Sequence, residues 1–129
     1  MNDRIHRRDL LRLGAAAGLA VGLTQSGHAQ QRAKPLRVGV IGTGGRGTYL
    51  LQLALKAGVE IPALCDIKPP HLNQAIAVVA QARGGKKPVG YSEGPKDYQR
   101  MLQRDDLDAV IIGTPMQVHA PMAIDAMKA

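Results

Sequence analysis

A glycine-rich turn between an apolar run and a helical pattern constrains the fold of this chain most strongly. Residues 36–41 form a short segment that is rich in β-branched side chains, and this pattern predicts a buried strand. Gly42, Gly44 and Gly47 follow at the spacing G-x-G-x-x-G, and a helical pattern begins at Thr48. In this order of strand, turn and helix, the spacing indicates a dinucleotide-binding loop. A plain glycine-rich turn is the alternative, and the flanking strand and helix argue against it.

The three glycines of this turn have different predicted tasks. Gly42 makes the tight turn, Gly44 lets the backbone approach a pyrophosphate, and Gly47 lets the helix pack against the strand. The N-terminus of the helix offers unpaired N–H groups and a partial positive charge to the phosphates. Arg46 lies in the same turn, where it can contact a phosphate or shield it.

An acidic residue ends the second predicted strand. Asp66 lies 24 positions after Gly42, near the interval at which such folds place a carboxylate for the 2′-hydroxyl of the adenosine ribose. A carboxylate there would repel a 2′-phosphate, which favours NAD over NADP. Lys68 argues the other way, because its cation could pair with that phosphate. A helix N-cap ahead of Pro69 is the alternative role for Asp66.

Strands and helices alternate after a polar linker at residues 30–35. Strands are predicted at 36–41, 59–65, 88–91 and 108–113, and helices at 48–57, 69–83, 95–104 and 120–128. Pro62 fits the second strand only near an edge or at its entry. The alternation predicts an α/β fold with a parallel sheet covered on both faces, in strand order 3-2-1-4. This is half of a doubly wound dinucleotide fold plus one strand.

A polar segment follows the fourth predicted strand. Thr114, Pro115 and His119 lie there, and open α/β sheets bind ligands outside this edge. A hydroxyl, a proline-fixed turn and an imidazole are all usable beside a nicotinamide or its ribose. An isolated histidine in such a loop is more often a satisfied structural residue. No carboxylate partner is visible that would make His119 a catalytic base.

Composition excludes several classes of protein. A single cysteine among 129 residues rules out an internal disulfide framework and a cysteine-rich zinc site, and no metal site is predicted. We expect Cys65 to be a buried packing residue. The net charge of +7 raises the question of nucleic acid, but the basic residues are scattered and aromatic residues make up only 2% of the chain. Nucleic acid is therefore not an expected partner.

The first 29 residues have the layout of an export signal. A charged start containing Arg7 and Arg8 precedes an apolar run at residues 13–23, and a small-x-small site ends at Ala29. A stable membrane span is not expected, because spanning needs about twenty apolar residues. Arg7 and Arg8 with the residues after them resemble the twin-arginine motif. The resemblance implies export in the folded state by the twin-arginine machinery, and a periplasmic location.

From residue 36 onward the sequence resembles the N-terminal part of the Gfo/Idh/MocA oxidoreductases. The motifs that carry this resemblance are Val38-Gly-Val-Ile-Gly42-Thr-Gly-Gly-Arg-Gly47, Leu64-Cys-Asp66 and Asp108-Ala-Val-Ile-Ile-Gly-Thr-Pro115-x-x-x-His119. The resemblance implies a Rossmann domain that binds NAD, or less readily NADP, and hydride transfer between a sugar or polyol and the nicotinamide. The implied cofactor-binding residues are Gly42, Thr43, Gly44, Gly45, Arg46, Gly47, Asp66, Thr114, Pro115 and His119.

Members of that family continue into a fifth strand ending in Glu-Lys-Pro, whose lysine is the usual catalytic residue. An α+β substrate domain, which carries the sugar site and most oligomer contacts, normally follows. Because this sequence ends at Ala129, we expect an incomplete Rossmann domain with no catalytic residue, inactive by itself and part of a longer enzyme that can form a homo-oligomer.

Two other functions stay open. One is an NAD-dependent glycosidase similar to glycoside hydrolase family 109, whose members share the fold, often carry twin-arginine leaders and oxidise the sugar transiently. The other is a non-catalytic homologue that only binds the cofactor. Export argues for a tightly held and recycled cofactor, because the periplasm has no obvious pool of NAD.

Overall fold

Four strands alternate with helices in the computed structural model, which describes residues 34–129. The strands are β1 (Arg37–Ile41), β2 (Glu60–Cys65), β3 (Val89–Tyr91) and β4 (Ala109–Ile112). The α-helices are α1 (Gly45–Lys56), α2 (Pro69–Ala82), α3 (Asp97–Leu102) and α4 (His119–Lys128), and a 3-10 turn at Met116–Val118 precedes α4. The predicted export signal and most of the predicted linker lie outside the described residues.

The strands form one parallel sheet in the order β3-β2-β1-β4. Val40 of β1 pairs with Leu64 on one side and with Ile111 on the other. This confirms the predicted strand order and the α/β class. The chain runs outward from β1 to β3 and then returns to the other side of β1, so the switch in winding direction lies between β1 and β4.

Pro62 is the third residue of β2, and it precedes Ala63, where the pairing of β2 with β3 begins. A proline cannot donate a ladder hydrogen bond, so this position, with no partner on the β3 side, agrees with the expectation of a site near an edge or at the strand entry. The register between β1 and β2 explains how it is accommodated. Arg37 pairs with Glu60, but Gly39 pairs with Ala63, so β2 has one extra residue around Pro62. That irregularity removes the need for an N–H at this position.

Both faces of the sheet are covered by helices. One buried cluster packs β1 and β2 against α1 and α2, and it contains Val38, Val40, Leu51, Ile61, Leu64, Leu72, Ala75 and Val79. The second packs against α3 and α4, and it contains Ile41, Ala63, Cys65, Tyr91, Tyr98, Met101 and Met122. Within residues 34–129 no helix is long and apolar enough to cross a membrane.

Helix α1 begins three residues earlier than its apolar pattern indicates, at Gly45. Its first hydrogen bond runs from Thr48 N to Gly44 O at 2.8 Å. The early start brings Gly45, Arg46 and Gly47 into the first helical turn, where backbone N–H groups have no acceptor within the helix. The glycine loop and the helix N-terminus are therefore one continuous element at the end of β1.

Candidate cofactor site

A cavity of about 530 Å³ opens at the carboxyl edge of the sheet, where the winding direction switches. Seven of the ten predicted cofactor residues line it: Gly42, Gly44, Gly45, Arg46, Asp66, Thr114 and Pro115. Thr43 and Gly47 are buried, and His119 lies at the start of α4 behind the loop that carries Thr114. The fold therefore gathers three distant segments of the sequence at one edge.

Two glycines of the loop are required by the protein itself. Gly42 has a φ of +84°, a backbone angle that residues with a side chain rarely adopt. A Cβ on Gly47 would lie 1.7 Å from Gly42 O, so α1 can approach β1 this closely only with glycine there. Gly113, at the end of β4, completes the contact, because its Cβ would lie 2.7 Å from Gly47 Cα. Gly113 lies within the motif at residues 108–119, but no role was predicted for it, because its contact is with a residue 66 positions away.

Two other glycines are not required by contacts within the described residues. A Cβ on Gly44 would meet only His71, at an ordinary 3.6 Å, and a Cβ on Gly45 would meet no heavy atom within 4 Å. Both residues line the cavity beside the unpaired N–H groups of α1. This open cradle at a helix N-terminus fits the pyrophosphate of a dinucleotide.

Asp66 ties the end of β2 to the glycine loop. Its Oδ2 accepts hydrogen bonds from Thr43 N at 2.7 Å and from Thr43 Oγ1 at 3.2 Å. Its Oδ1 accepts a hydrogen bond from Lys68 N at 2.8 Å. Asp66 does not occupy the N-cap position of α2, which is Lys68. Its carboxylate lies at the cavity wall, where a ribose hydroxyl can reach it.

Basic side chains line the same cavity as this carboxylate. Arg46 and Lys68 line the cavity, and the guanidinium of Arg46 lies over the ring of Tyr49 at 5.7 Å. His71, a lining residue that the sequence motifs did not indicate, is half-exposed, with its Nδ1 3.9 Å from Asp66 Oδ2. The site thus offers positive charge for phosphates and one carboxylate for hydroxyls.

His119 supports the loop after β4. Its Nε2 lies 2.5 Å from the carbonyl oxygen of Thr114, so the ring donates a hydrogen bond through Nε2. Thr114 Oγ1 in turn lies 3.5 Å from the sulfur of Met122. The imidazole therefore holds the main chain at Thr114, and Thr114 and Pro115 are the members of this segment that line the cavity.

Cys65 lies beneath the cavity at the end of β2 and is buried. Burial, and secondarily the charges of Asp97 and Asp66, raises the pKa of its thiol to about 12. The thiol is therefore protonated at neutral pH, as expected of a packing residue. Across residues 34–129, no three potential metal-ligating side chains come together.

A known protein family matches the described part of the chain. The model of the Gfo/Idh/MocA oxidoreductase family, with an NAD-binding Rossmann fold, matches residues 36–129. The chain belongs to this family. The match covers every strand and helix described above, so the Gfo/Idh/MocA domain and the cavity-bearing unit are the same part of the chain.

Curated relatives of this Gfo/Idh/MocA chain are glycosyl hydrolase family 109 proteins. The protein from Saccharopolyspora erythraea is 37% identical over 95% of the chain and 31% of the relative. The protein from Stenotrophomonas maltophilia is 40% identical over 95% of the chain and 27% of the relative. The protein from Shewanella woodyi is 44% identical over 83% of the chain and 23% of the relative. The chain thus spans less than a third of their lengths.

Solved structures share the fold. The WlbA dehydrogenase from Chromobacterium violaceum, in complex with NADH and UDP-GlcNAcA, superposes with a TM-score of 0.61 at 23% identity, over 75% of this chain and 26% of that one. A probable dehydrogenase from Thermotoga maritima superposes with a TM-score of 0.55, also at 23% identity, over 73% of this chain and 25% of that one.

Proposed function

We propose that this chain is the NAD-binding part of an exported enzyme that acts on carbohydrates. The observation that carries the proposal is the open cradle at the N-terminus of α1, which lies beside Asp66 in one cavity. The nicotinamide supplies a hydride acceptor and donor for a sugar C–H bond. The described residues bind and orient this cofactor, and none of them is assigned a catalytic role, so residues 36–129 alone turn over no substrate.

Each segment of the cavity receives one part of the cofactor. The first-turn amides of α1 and the guanidinium of Arg46 receive the pyrophosphate. Asp66 accepts a hydroxyl of the adenosine ribose, and its negative charge disfavours a 2′-phosphate, which makes NAD the preferred cofactor. Thr114 and Pro115, on the loop held by His119, contact the nicotinamide half.

The curated relatives favour a glycosidase. They are named as glycosyl hydrolase family 109 proteins and are 37% to 44% identical to this chain. In such a reaction the sugar gives a hydride to NAD and takes it back before the product is released, so NAD is not consumed. A net oxidoreductase of sugars or polyols is the second candidate, which the family's description as oxidoreductases supports.

Two measurements on the full-length enzyme, of which this chain is the proposed NAD-binding part, test this proposal. Denaturing the purified protein releases bound nucleotide, and we expect about one NAD(H) per chain. A panel of chromogenic glycosides then distinguishes the two candidates. A glycosidase releases the chromophore without accumulating NADH, whereas an oxidoreductase accumulates NADH unless a second carbonyl compound accepts the hydride. Failure to bind NAD(H) would refute both, and binding without turnover of any sugar would leave a non-catalytic homologue.

The export route is a separate part of the proposal. Arg7 and Arg8 resemble the twin-arginine motif, and this route carries folded proteins, so a cofactor can be loaded before export. Changing both arginines to lysine should retain the protein in the cytoplasm. The reverse double change, of Lys86 and Lys87 to arginine, serves as a control, because it leaves the leader intact. Unchanged export of the leader variant would refute this route.

A further inference from the structure

The side chain of Thr43 is directed into the protein and not into the cavity. It is only 2% exposed and does not line the 530 Å³ cavity. Both of its donors, the backbone N–H and the side-chain hydroxyl, are directed at Asp66 Oδ2. Its carbonyl oxygen accepts a hydrogen bond from Thr48 Oγ1 at 2.7 Å. Thr43 is thus held on all three of its polar groups.

The two carboxylate oxygens of Asp66 accept different numbers of hydrogen bonds. A carboxylate oxygen accepts about two hydrogen bonds, and Oδ2 already accepts two from Thr43. Oδ1 accepts one, from Lys68 N. The side chain of Asp66 is 9% exposed, so its remaining acceptor capacity is a single position on Oδ1.

We infer that Thr43 is a positioning residue that makes Asp66 a one-hydroxyl acceptor. By occupying Oδ2, Thr43 turns Oδ1 toward the cofactor, and Asp66 then takes one hydroxyl of the adenosine ribose instead of both. The inference rests on the proposed function, because it assumes that the ribose lies against Asp66. It assigns Thr43 a role in selecting a hydroxyl rather than in touching the cofactor.

A purely structural role for Thr43 predicts something different. If the hydroxyl of Thr43 only stabilised the loop, its loss would lower the affinity for every dinucleotide by the same factor. If the hydroxyl orients Asp66, its loss would lower the affinity most for those ligands that have the selected ribose hydroxyl. Analogues of NAD⁺ that lack the 2′- or the 3′-hydroxyl of the adenosine ribose separate these cases.

The test measures dissociation constants of the full chain by calorimetry for NAD⁺ and the two deoxy analogues. For the unchanged chain we expect one analogue to bind about tenfold more weakly than NAD⁺ and the other to stay within about twofold. Thr43→Val keeps the shape of the side chain and removes the hydroxyl. It should weaken NAD⁺ about tenfold and bring NAD⁺ and the sensitive analogue within about twofold of each other.

Two variants serve as controls. Thr43→Ser retains the hydroxyl and should keep the difference between NAD⁺ and the sensitive analogue. Thr48→Val removes the other hydroxyl of the loop, which contacts Thr43 O and not Asp66. It should change the affinity for all three ligands by the same factor.

The outcomes separate this inference from the proposed function. If the unchanged chain binds no NAD⁺, the proposed function fails and the inference fails with it. If it binds NAD⁺ but both analogues weaken equally, only the inference is overturned, and this result needs no folded variant. The inference is also overturned if Thr43→Val loses the same factor for all three ligands.

Discussion

Replacing Gly47 by alanine tests the close approach of α1 to β1. The new Cβ would lie 1.7 Å from Gly42 O, whereas real Cβ contacts are essentially never under 3.0 Å, so at least 1.3 Å of separation must be found. The atom it meets is backbone, and Gly42 is itself fixed by a hydrogen bond from its N to Cys65 O at 2.7 Å. A side-chain rotation cannot relieve such a clash.

We therefore expect Gly47→Ala to lower the free energy of unfolding by about 3 kcal/mol, the upper part of the usual range for overpacking. For a domain of this size that corresponds to a fall in Tm of roughly 12–24 °C. Gly45→Ala is the matched control, since it lies in the same helical turn and its Cβ meets no heavy atom within 4 Å. Its Tm should be unchanged or slightly higher, because alanine favours helix over glycine.

Thermal and urea unfolding of the full chain, followed by circular dichroism, measure both variants. A Gly47→Ala variant within about 0.5 kcal/mol of the unchanged protein, well below the cost expected for overpacking, would show that the loop and helix separate easily. The explanation of the glycine spacing by close packing would then be wrong. An equal loss in Gly45→Ala would refute it as well, because that position is sterically open.

Three further predictions follow from the site and its surroundings. Gly44→Ala should leave Tm unchanged, because the new Cβ has room. The same Cβ fills the pyrophosphate cradle, so the variant should bind NAD⁺ at least about tenfold more weakly in calorimetry. An unchanged affinity would contradict this. Cys65, whose pKa is raised to about 12 by burial, should react with a disulfide reagent at pH 8 only after denaturation, and rapid reaction of the native chain would contradict this. The hydrogen bond from Arg104 lowers the pKa of Asp106 below its ordinary value. The pair therefore stabilises the fold above about pH 4, the ordinary pKa of the carboxyl group. This stabilisation is lost as the pH falls through the lowered pKa. Urea midpoints from pH 2 to 5 should depend less on pH in Arg104→Met than in Arg46→Met, and equal slopes would contradict this.

The architecture was predictable because it depends on local order along the chain. Strands and helices alternate at a regular spacing, and right-handed crossovers leave little choice of strand order. The glycine turn was predictable for the same reason, since its strand, loop and helix are adjacent in sequence. Its boundaries were less predictable: α1 begins at Gly45 because the loop packs against β1 and Gly113, which no local pattern shows.

The position of Pro62 illustrates another limit of local patterns. Propensity places a proline at a strand edge or entry, and β2 is an interior strand whose pairing with β3 begins only at Ala63. On its other side, β2 has one extra residue around Pro62 in its register with β1. A register irregularity arises from how two strands align, and neither strand records it alone.

The order of residues along the chain is enough to infer the family, the sheet order and the segments that meet at the cofactor edge. What each residue does there depends on how these segments pack. The tertiary structure directs Thr43 at Asp66, places His71 in the cavity wall and commits the ring of His119 to Thr114 O. The physical reason is that motifs report the spacing of residues along one chain, whereas a hydrogen bond or a steric contact depends on the distance between segments that packing brings together.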